Sequence, residues 1–397
     1  MRRFESSHPS HYLLVYRVLA PTAFSLTSFE NEKKRLFGPD IARSIAIIMV
    51  LVSHISDFSS IWFKTPFPVG LIVLGEFGVT LFFTLSGFLI GTIVINLVEQ
   101  NASAKQWGIF WVRRWGRTLP AYFFWIGVLA FLSYWLNLIN PWSNLKHYLL
   151  YYLTLTQNLA WPMVTFWFAV SWSLTVEEWF YISFPALLLA LSFIKIRPGQ
   201  RFAITFGVFF ILPVVFRIMV PPTANWDQAV KNVVINRLDA ITYGASTAWF
   251  WYFYSHKLKK AAPFLCAIGV FGTLYIISIL YYPALKFWPE RVHKIFIFNF
   301  ISLNYALCMP FLITIQTVNP LLQRLTLLVS NHSYSLYIVH YSVLYTAHTL
   351  IERQSLTPME GLTLSVAIII LLSWFIWRYI ELPLLKYRPK QTIIAKL

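Results

Sequence analysis

Residues 74–97 read LGEFGVTLFFTLSGFLIGTIVINL and are the longest apolar segment considered for the fold class. A helix needs about 20 mainly apolar residues to cross the hydrocarbon core of a bilayer. Residues 74–97 meet that length and are almost entirely apolar. They therefore predict a membrane-spanning helix rather than the core of a soluble domain.

The same pattern recurs nine more times along the chain. The further predicted spans are residues 41–57, 118–137, 176–194, 202–220, 236–254, 263–281, 295–317, 332–350 and 361–380. An eleventh segment, residues 145–160, is short and polar, and we assign it to an external loop, where it could form an interfacial or re-entrant helix. The chain is thus predicted to be an all-α, polytopic transmembrane bundle of about ten spans.

The composition of the 397 residues supports this fold class. Hydrophobic residues make up 58% of the chain and charged residues 12%, whereas an average soluble domain carries about 25% charge. A soluble fold could not cover so much apolar surface with so few polar residues. An aromatic content of 18% also excludes a disordered chain.

The positive charge follows the predicted topology. The formal net charge is +17, from 32 Lys and Arg against 15 Asp and Glu. Segments that ten spans place on the cytoplasmic side hold 21 of these Lys and Arg residues, and the external loops hold seven. Because Lys and Arg accumulate in cytoplasmic loops, we expect both termini to be cytoplasmic. The charge therefore implies no nucleic-acid partner.

The chain divides into three regions. We expect a cytoplasmic extension over residues 1–35, a membrane domain over residues 36–388 and a cytoplasmic tail over residues 389–397. No cleavable signal peptide is expected, because the extension lacks an apolar core of the right length. Cys266 and Cys308 both lie in apolar segments, so neither a disulfide framework nor a cysteine-based metal site is expected.

Ionisable residues inside the first span are the first candidates for function. Arg43 and His54 are 11 residues apart in PDIARSIAIIMVLVSHIS, which is almost three helical turns, so both share one face with His54 roughly 16 Å further along the axis. Ionisable residues within spans are rare and usually functional. The alternative is that Arg43 extends its charge to the interface while His54 is a packed, hydrogen-bonded residue.

Two pairs of charged residues lie near the third and fourth spans. Arg114 and Arg117 share a helix face and suit a phosphate, which each guanidinium can bind with two hydrogen bonds; positive-inside topology alone would also explain them. Glu177 and Glu178 begin the fourth span, where the helix dipole favours carboxylates. Adjacent residues point about 100° apart, so at most one of the two is expected to face inward and orient His54.

Other charged residues are interpreted as structural when taken singly. Arg237 and Asp239 open the sixth span, His340 lies in the ninth and Glu381 follows the tenth. The motifs of common soluble enzymes, such as the P-loop, GxSxG, HExxH and GxGxxG, do not occur.

Six short motifs follow one another along the chain. They are Asp40, Arg43 and His54 in PDIARSIAIIMVLVSH, then GEFGVTLFFTLSGFLIG at 75–91, Arg114-x-x-Arg117 with Pro120, Trp172-Ser-Leu-x-x-Glu177-x-x-Phe180-Tyr181, SYSLYIVH at 333–340, and Glu381-x-Pro383. In this order they resemble the motifs of the acyltransferase-3 family of integral membrane acyltransferases, over residues 36–388. One departure is the Ile41-Ala42 pair, where the family more often has a glycine-containing pair.

The resemblance implies a reaction and roles for individual residues. Members of the family move an acyl group, commonly acetyl, from cytoplasmic acyl-CoA to a sugar hydroxyl. His54 would be catalytic, with Glu177 rather than Glu178 as the inward-facing carboxylate. The acyl-CoA would contact Arg43, Arg114 and Arg117. Many members carry a C-terminal hydrolase-like domain of the SGNH type, and this sequence looks like a stand-alone form.

The acceptor is expected to be a carbohydrate or glycolipid at the membrane. We assign acceptor contacts to Trp172, Arg237 and Asp239, together with the Trp- and Tyr-rich external loop 138–172. Acyl-CoA would be the co-substrate and no metal is expected. The lipid bilayer would be the other partner, and the bacterial cytoplasmic membrane the location.

The sequence is compatible with two mechanisms and with three classes of function. His54 would act either as a general base or through an acyl-histidine intermediate. A proton-coupled transporter or a lipid flippase is the main rival function, because buried His, Arg and Glu also form proton relays. A scaffold that has kept the fold without activity is the third hypothesis.

Overall fold

The computed structural model describes residues 37–135, 145–194, 196–282, 285, 288–316 and 319–389. Throughout these residues the regular structure is helical and no strand occurs, which confirms the predicted all-α class. The predicted extension 1–35 lies outside the described residues, as do residues 390–397 of the predicted tail.

Eleven α-helices follow one another in the described residues. They are α1 (Phe37–Phe63), α2 (Val69–Glu99), α3 (Ala104–Trp135), α4 (Leu149–Leu153), α5 (Ser171–Phe193), α6 (Pro198–Met219), α7 (Leu238–Tyr281), α8 (Glu290–Thr314), α9 (Pro320–Glu352), α10 (Pro358–Ile376) and α11 (Leu382–Lys386). A π-helical segment, Asp227–Lys231, and a 3₁₀ turn, Val234–Asn236, precede α7, and a second π segment, Trp377–Glu381, joins α10 to α11.

Eight helices in the described residues are long and apolar enough to cross a membrane, counting α10 to α11 as one continuous segment. This finding confirms a polytopic bundle. The eight helices account for nine of the ten predicted spans, because α7 contains two of them. The tenth predicted span, residues 332–350, lies in α9, which is long enough to cross a membrane but more polar than the other eight helices. The polarity of α9 comes from its many histidines and hydroxyl side chains.

Helix α7 corrects the expected loop between the sixth and seventh spans. The helix runs for 44 residues with a kink at Tyr254, whose φ of −128° and ψ of 24° are not helical. A straight helix of that length would extend about 66 Å, more than twice the roughly 30 Å of bilayer hydrocarbon. The two spans are therefore joined by a kinked helix, and residues 255–262 are helical.

The segment before α5, which we predicted to be an external loop, is mostly turns. Between residues 145 and 160 the main helix is the five-residue α4, so this segment is too short to span. Asn158 attaches the segment to the bundle, because its amide donates to the carbonyl oxygens of Trp172 (3.1 Å) and Asn232 (2.5 Å). Gln157 donates to the hydroxyl of Thr175 over 2.6 Å.

Helix α5 begins earlier than predicted, and this changes the setting of its two carboxylates. It starts at Ser171 rather than at residue 176, and its first turn contains no acidic residue. Glu177 and Glu178 therefore lie in the second turn of the helix. The interaction with the helix dipole that the sequence suggested is confined to the first turn, so it does not explain their position.

Helix α2 forms the centre of the bundle. In the most apolar 18-residue stretch of α2, 83% of the residues are buried, whereas in the corresponding stretch of α7 only 22% are buried. Gly87 and Gly244 lie where α2 and α7 cross, and a Cβ atom at either position would overlap a backbone carbonyl of the other helix. Small residues allow such close backbone approach in membrane helices, so α7 packs directly on α2.

Candidate active site

A small cavity of about 90 Å³ lies among α1, α2, α3, α5 and α9. We call it the arginine cavity because all three predicted coenzyme-binding arginines line it. Its polar lining residues are Arg43, Arg114, Arg117, Ser86, Thr118, Ser173, Glu177, Ser333, Tyr334 and Tyr337. Residues that are far apart in sequence thus line one cavity.

Arg114 is held from two sides of the arginine cavity. Its Nη2 donates to the hydroxyl of Tyr181 and lies 3.8 Å from the carboxylate of Glu177. The guanidinium carbon is also 3.8 Å from the centroid of the Tyr181 ring, which is the geometry of a cation–π contact. The orientation of Arg114 is therefore set before any ligand binds.

Arg43 is positioned by the aspartate one helical turn before it. Arg43 Nη1 donates to Asp40 Oδ1 (3.1 Å) and to the hydroxyl of Ser330 (3.3 Å). Ser330 in turn donates to Asp40 over 2.6 Å. The Asp40 carboxylate, 3% exposed, thereby links α1 to α9 and holds the Arg43 guanidinium at the cavity.

Arg117 differs from the other two arginines. It is exposed and lines the arginine cavity, and it forms no hydrogen bond or ion pair with the residues that the structure describes. Arg114 and Arg117 lie three residues apart in α3, so they share a helix face as predicted. One arginine of the pair is fixed and the other is available to an anion.

Both carboxylates of α5 lie inside the bundle, although only one was expected to do so. Glu177 lines the arginine cavity and pairs with Arg114. Glu178 is 3% exposed and accepts a hydrogen bond of 2.6 Å from the Thr118 hydroxyl of α3. The structure thus places Glu177 beside an arginine rather than beside His54.

A second and larger cavity, of about 670 Å³, contains His54. We call it the histidine cavity. Its charged and ring-bearing lining residues are His54, Asp57, Glu76, Phe77, Phe166, Trp172, Trp226, Asp227, Lys231, Glu290, His293, Lys294, Phe298, Tyr337 and Tyr341. Trp172 and part of the loop 138–172 therefore reach the same cavity as His54; residues 136–144 lie outside the described residues.

The partner of His54 is His340, 286 residues later in the chain. His340 Nε2 lies 3.0 Å from His54 Nδ1, and His340 Nδ1 lies 3.1 Å from the carbonyl oxygen of Leu336. A carbonyl only accepts, so His340 Nδ1 carries the proton and, in the neutral ring, Nε2 is an acceptor. His54 Nδ1–H must then be the donor, which leaves Nε2 of His54 as its basic atom.

Arg237 does not reach a cavity wall. Its side chain has no exposure, and its Nη2 donates to Glu76 (2.7 Å) and Thr80 (3.2 Å). Its guanidinium carbon also lies 3.5 Å from the centroid of the Phe298 ring. Glu76, which is 18% exposed and lines the histidine cavity, is therefore the group through which Arg237 can act on a ligand.

Asp239 is also enclosed by protein groups. Its Oδ2 accepts hydrogen bonds from Arg217 and, over 2.8 Å, from the amide of Asn299. The side chains of Asp239 and Arg217 both have no exposure. A buried pair of this kind loses several kcal/mol if one partner is removed, so the observed geometry is that of a link between α6, α7 and α8 rather than of an acceptor contact.

The structure therefore divides the predicted site residues into three groups. Arg43, Arg114, Arg117 and Glu177 line the arginine cavity, and His54 and Trp172 line the histidine cavity. Arg237 and Asp239 lie behind the cavity wall. In the part of the chain that the structure describes, no group of three or more His, Cys, Asp or Glu side chains could hold a metal ion.

Sequence reasoning did not predict roles for His340 and Glu76. The signal for His340 was present in SYSLYIVH, where a histidine follows a polar helix face, but its partner could not be identified before the fold was known. Glu76 is the one ionisable residue of the central helix segment 74–97. A charged residue inside a membrane span costs free energy unless it is paired with another group. Glu76 could therefore have suggested a buried cationic partner such as Arg237.

Comparison with known proteins identifies relatives across most of the chain. An acyltransferase-domain family matches residues 36–378. A peptidoglycan O-acetyltransferase of Listeria monocytogenes is 25% identical over 382 residues, which cover 89% of this chain and 56% of that protein. A Staphylococcus aureus protein provisionally named an O-acetyltransferase is 24% identical over 384 residues, or 90% of this chain and 59% of its own length. No solved structure matches the chain significantly.

The chain belongs to the acyltransferase-3 family, because the family match covers most of its length. This confirms the resemblance inferred from the six motifs. The chain spans less than three fifths of the length of these two relatives. Together with the eight membrane-competent helices in the described residues, the match identifies an integral, multi-pass membrane protein with an acyltransferase domain.

Proposed function

We propose that this acyltransferase-3 family member transfers an acyl group, acetyl in the first instance, from acyl-CoA to a hydroxyl of a carbohydrate acceptor. The observation that carries the proposal is the pair of cavities, one lined by three arginines and the other by His54, that share Val79 and Tyr337 as lining residues. A donor can bind in one cavity and an acceptor in the other, with the reaction at their boundary.

The arginine cavity suits the phosphates of coenzyme A. Guanidinium groups bind phosphate with paired, charge-assisted hydrogen bonds. Arg114 is held in place by Tyr181 and Glu177, and Arg43 by Asp40, so neither loses much side-chain freedom on binding. Arg117, which is exposed, would close on the anion. The narrow pantetheine arm would then extend from the cytoplasmic side toward the boundary.

The reaction itself would use the basic nitrogen of His54. Nε2 would take the proton of the acceptor hydroxyl as its oxygen attacks the thioester carbonyl. The acyl C–S bond then breaks as the C–O ester bond forms, and the proton passes to the departing thiolate of coenzyme A. The hydrogen bond from His54 Nδ1–H to His340 would fix the required tautomer, which is the role the sequence had suggested for Glu177.

The histidine cavity suits a sugar. Trp172, Trp226 and Phe298 line it, and aromatic faces pack well against the apolar faces of sugar rings. Glu76, held by Arg237, would accept hydrogen bonds from sugar hydroxyls. The name of the Listeria relative, a peptidoglycan O-acetyltransferase, agrees with a cell-envelope glycan as the acceptor class and with a location in the bacterial cytoplasmic membrane.

The proposal is tested in membrane vesicles from cells that overproduce the protein, with labelled acetyl-CoA and the envelope glycans of the same cells. We expect alkali-labile label on the glycan and one free thiol for each acetyl transferred. His54→Ala should lower the rate by about 10²–10⁴-fold, the usual contribution of a general base. His256→Ala, which changes an exposed histidine, is the matched control and should have no effect.

Two results would contradict the proposal. The first is a His54→Ala variant that inserts in the membrane and keeps full transfer activity. The second is glycan-independent solute flux in liposomes containing the purified protein without acyl-CoA, which would favour the transporter hypothesis.

A further inference from the structure

Two residues line both cavities, Val79 of α2 and Tyr337 of α9. Tyr337 is the larger of the two and the one with a polar group. The arginine cavity measures about 90 Å³ and the histidine cavity about 670 Å³. The side chains at this boundary therefore separate a narrow compartment from a wide one.

Three tyrosines of α9 line the two cavities at successive positions along the helix axis. Tyr334 lines only the arginine cavity, Tyr337 lines both, and Tyr341 lines only the histidine cavity. Residues spaced by three and four positions lie above one another on a helix face, about 5 Å apart along the axis. Tyr337 thus occupies the middle level, where the two cavities meet.

The ring of Tyr337 is held in that place. Its hydroxyl forms a hydrogen bond of 2.6 Å with the hydroxyl of Ser173, and its ring centroid lies 6.1 Å from that of Phe82 in an edge-on contact. Its centroid is also 5.7 Å from that of His340, the residue that contacts His54. With only 6% of its surface exposed, the side chain has little room to move.

We propose that Tyr337 is the residue that determines which acyl groups are accepted. This inference rests on the proposed function, in which the thioester must pass from the arginine cavity to His54. A short acyl group can pass beside the Tyr337 ring, whereas a longer chain would overlap it. The same ring keeps water of the wide histidine cavity away from the thioester, and so favours transfer over hydrolysis.

The test compares Tyr337→Ala with Tyr334→Ala and Tyr341→Ala, which remove the same ring from each neighbouring level. Rates of glycan acylation are measured in vesicles with acetyl-, butyryl- and octanoyl-CoA, and thiol release without transfer is measured alongside. A pocket distinguishes chains that differ by one methylene by about 10- to 200-fold. Tyr337→Ala should therefore reduce the preference for acetyl over butyryl by at least about tenfold and raise hydrolysis.

Two further variants keep the inference testable if Tyr337→Ala does not fold. Tyr337→Leu should lower the acetyl preference in the same direction by a smaller factor. Ser173→Ala, which removes the hydrogen bond that holds the Tyr337 hydroxyl, should lower the acetyl preference and raise hydrolysis, both by less than Tyr337→Ala does. Rejection of butyryl-CoA by a folded Tyr337→Leu variant to the same degree as by the wild type would count against the inference.

The outcomes separate the inference from the proposed function. Wild-type vesicles that transfer no acetyl group from acetyl-CoA would overturn both. Normal wild-type transfer together with an unchanged chain-length profile in Tyr337→Ala would overturn the inference alone. An equal loss of acetyl preference in Tyr334→Ala and Tyr341→Ala would do so too, because the effect would then not belong to the boundary.

Discussion

At the scale of single residues, the contact between His54 and His340 is the one with the most direct chemical consequence. Neutral imidazole has two tautomers, and only one leaves Nε2 of His54 unprotonated. His340 selects that tautomer, because its own Nδ1 is occupied by the Leu336 carbonyl and its Nε2 must accept. In serine hydrolases a carboxylate orients the catalytic histidine in this way; here a second histidine does so without adding a negative charge.

We therefore expect His340→Phe to lower kcat by about 10- to 100-fold, which corresponds to about 1.4–2.7 kcal/mol of transition-state stabilisation. The substitution removes the side-chain acceptor that His340 offers to the Nδ1–H of His54. Loss of a buried hydrogen-bond partner costs about 1–3 kcal/mol, and the ring can then adopt the unproductive tautomer more easily. The KM for acyl-CoA should not change, because His340 does not line the arginine cavity. Steady-state kinetics with varied acetyl-CoA measure both quantities.

His340→Asn is the conservative variant for this prediction. Its side-chain oxygen can accept a hydrogen bond, so part of the lost kcat should return. A His340→Phe protein with normal kcat, or one whose KM for acyl-CoA rises as much as kcat falls, would show that His340 does not position His54. Melting temperatures of both variants that equal that of the wild type would exclude loss of folding as the cause of the lower kcat.

The residues of the site were predictable to the extent that they are local in sequence. The spacing of Arg43 and His54 and that of Arg114 and Arg117 follow from the 3.6-residue helical repeat, and the structure shows each pair on helices that line the cavities. The partner of His54 was not predictable, because no rule of spacing connects residues 286 positions apart. The periodicity of one sequence indicates which face of its helix a residue occupies, but not which residue of another helix packs against that face.

At the scale of helices, the crossing of α2 and α7 explains how the central helix is held. Gly87 and Gly91 form a GxxxG pattern on α2, and Cβ atoms there would press against Ile241 and Ala245 of α7. Lipid chains are as apolar as leucine, so membrane helices associate through close packing rather than through the hydrophobic effect. The glycines provide that closeness, and α2 in turn supplies residues to both cavities.

Gly87→Val should therefore destabilise the protein by about 1–3 kcal/mol or more, the usual cost of overpacking. The added side chain would overlap a backbone carbonyl, which cannot move aside as a flexible side chain could. Gly207→Val in α6 is the matched control, since no heavy atom lies within 4 Å of a Cβ atom there. Apparent melting temperatures in detergent measure both; similar values for the two variants would contradict this account of the crossing.

The helices themselves were predictable to the extent that apolar length determines them. Each of the ten apolar segments overlaps a described helix, but the ends of the helices do not follow from hydropathy. Helix α5 starts at Ser171, and its first residues accept hydrogen bonds from Asn158 and Gln157, which are tertiary contacts that hydropathy does not report. The segment after Tyr254 remains helical although it is charged, and hydropathy cannot distinguish a polar helix from a polar loop.

At the scale of the whole molecule, the two cavities lie one after the other along α1, so the two ends of the helix bundle differ. Along α1, Arg43 of the arginine cavity precedes His54 of the histidine cavity by roughly 16 Å. In the proposed function, the donor would enter from the side of the membrane to which Arg43 is nearer. Because acyl-CoA is cytoplasmic, the proposed function requires the start of α1 to face the cytoplasm, as the distribution of Lys and Arg predicts.

Membrane-impermeant thiol labelling tests this orientation in a variant that carries Cys266→Ser and Cys308→Ser. Ser103→Cys, between α2 and α3, should be labelled only in broken cells, whereas Ser355→Cys, between α9 and α10, should be labelled in intact cells. Both serines are exposed, and neither substitution changes a Lys or Arg, so the charge balance that sets topology is preserved. The reverse labelling pattern would place the arginine cavity on the external side, where no acyl-CoA is available, and the donor assignment would fail with it.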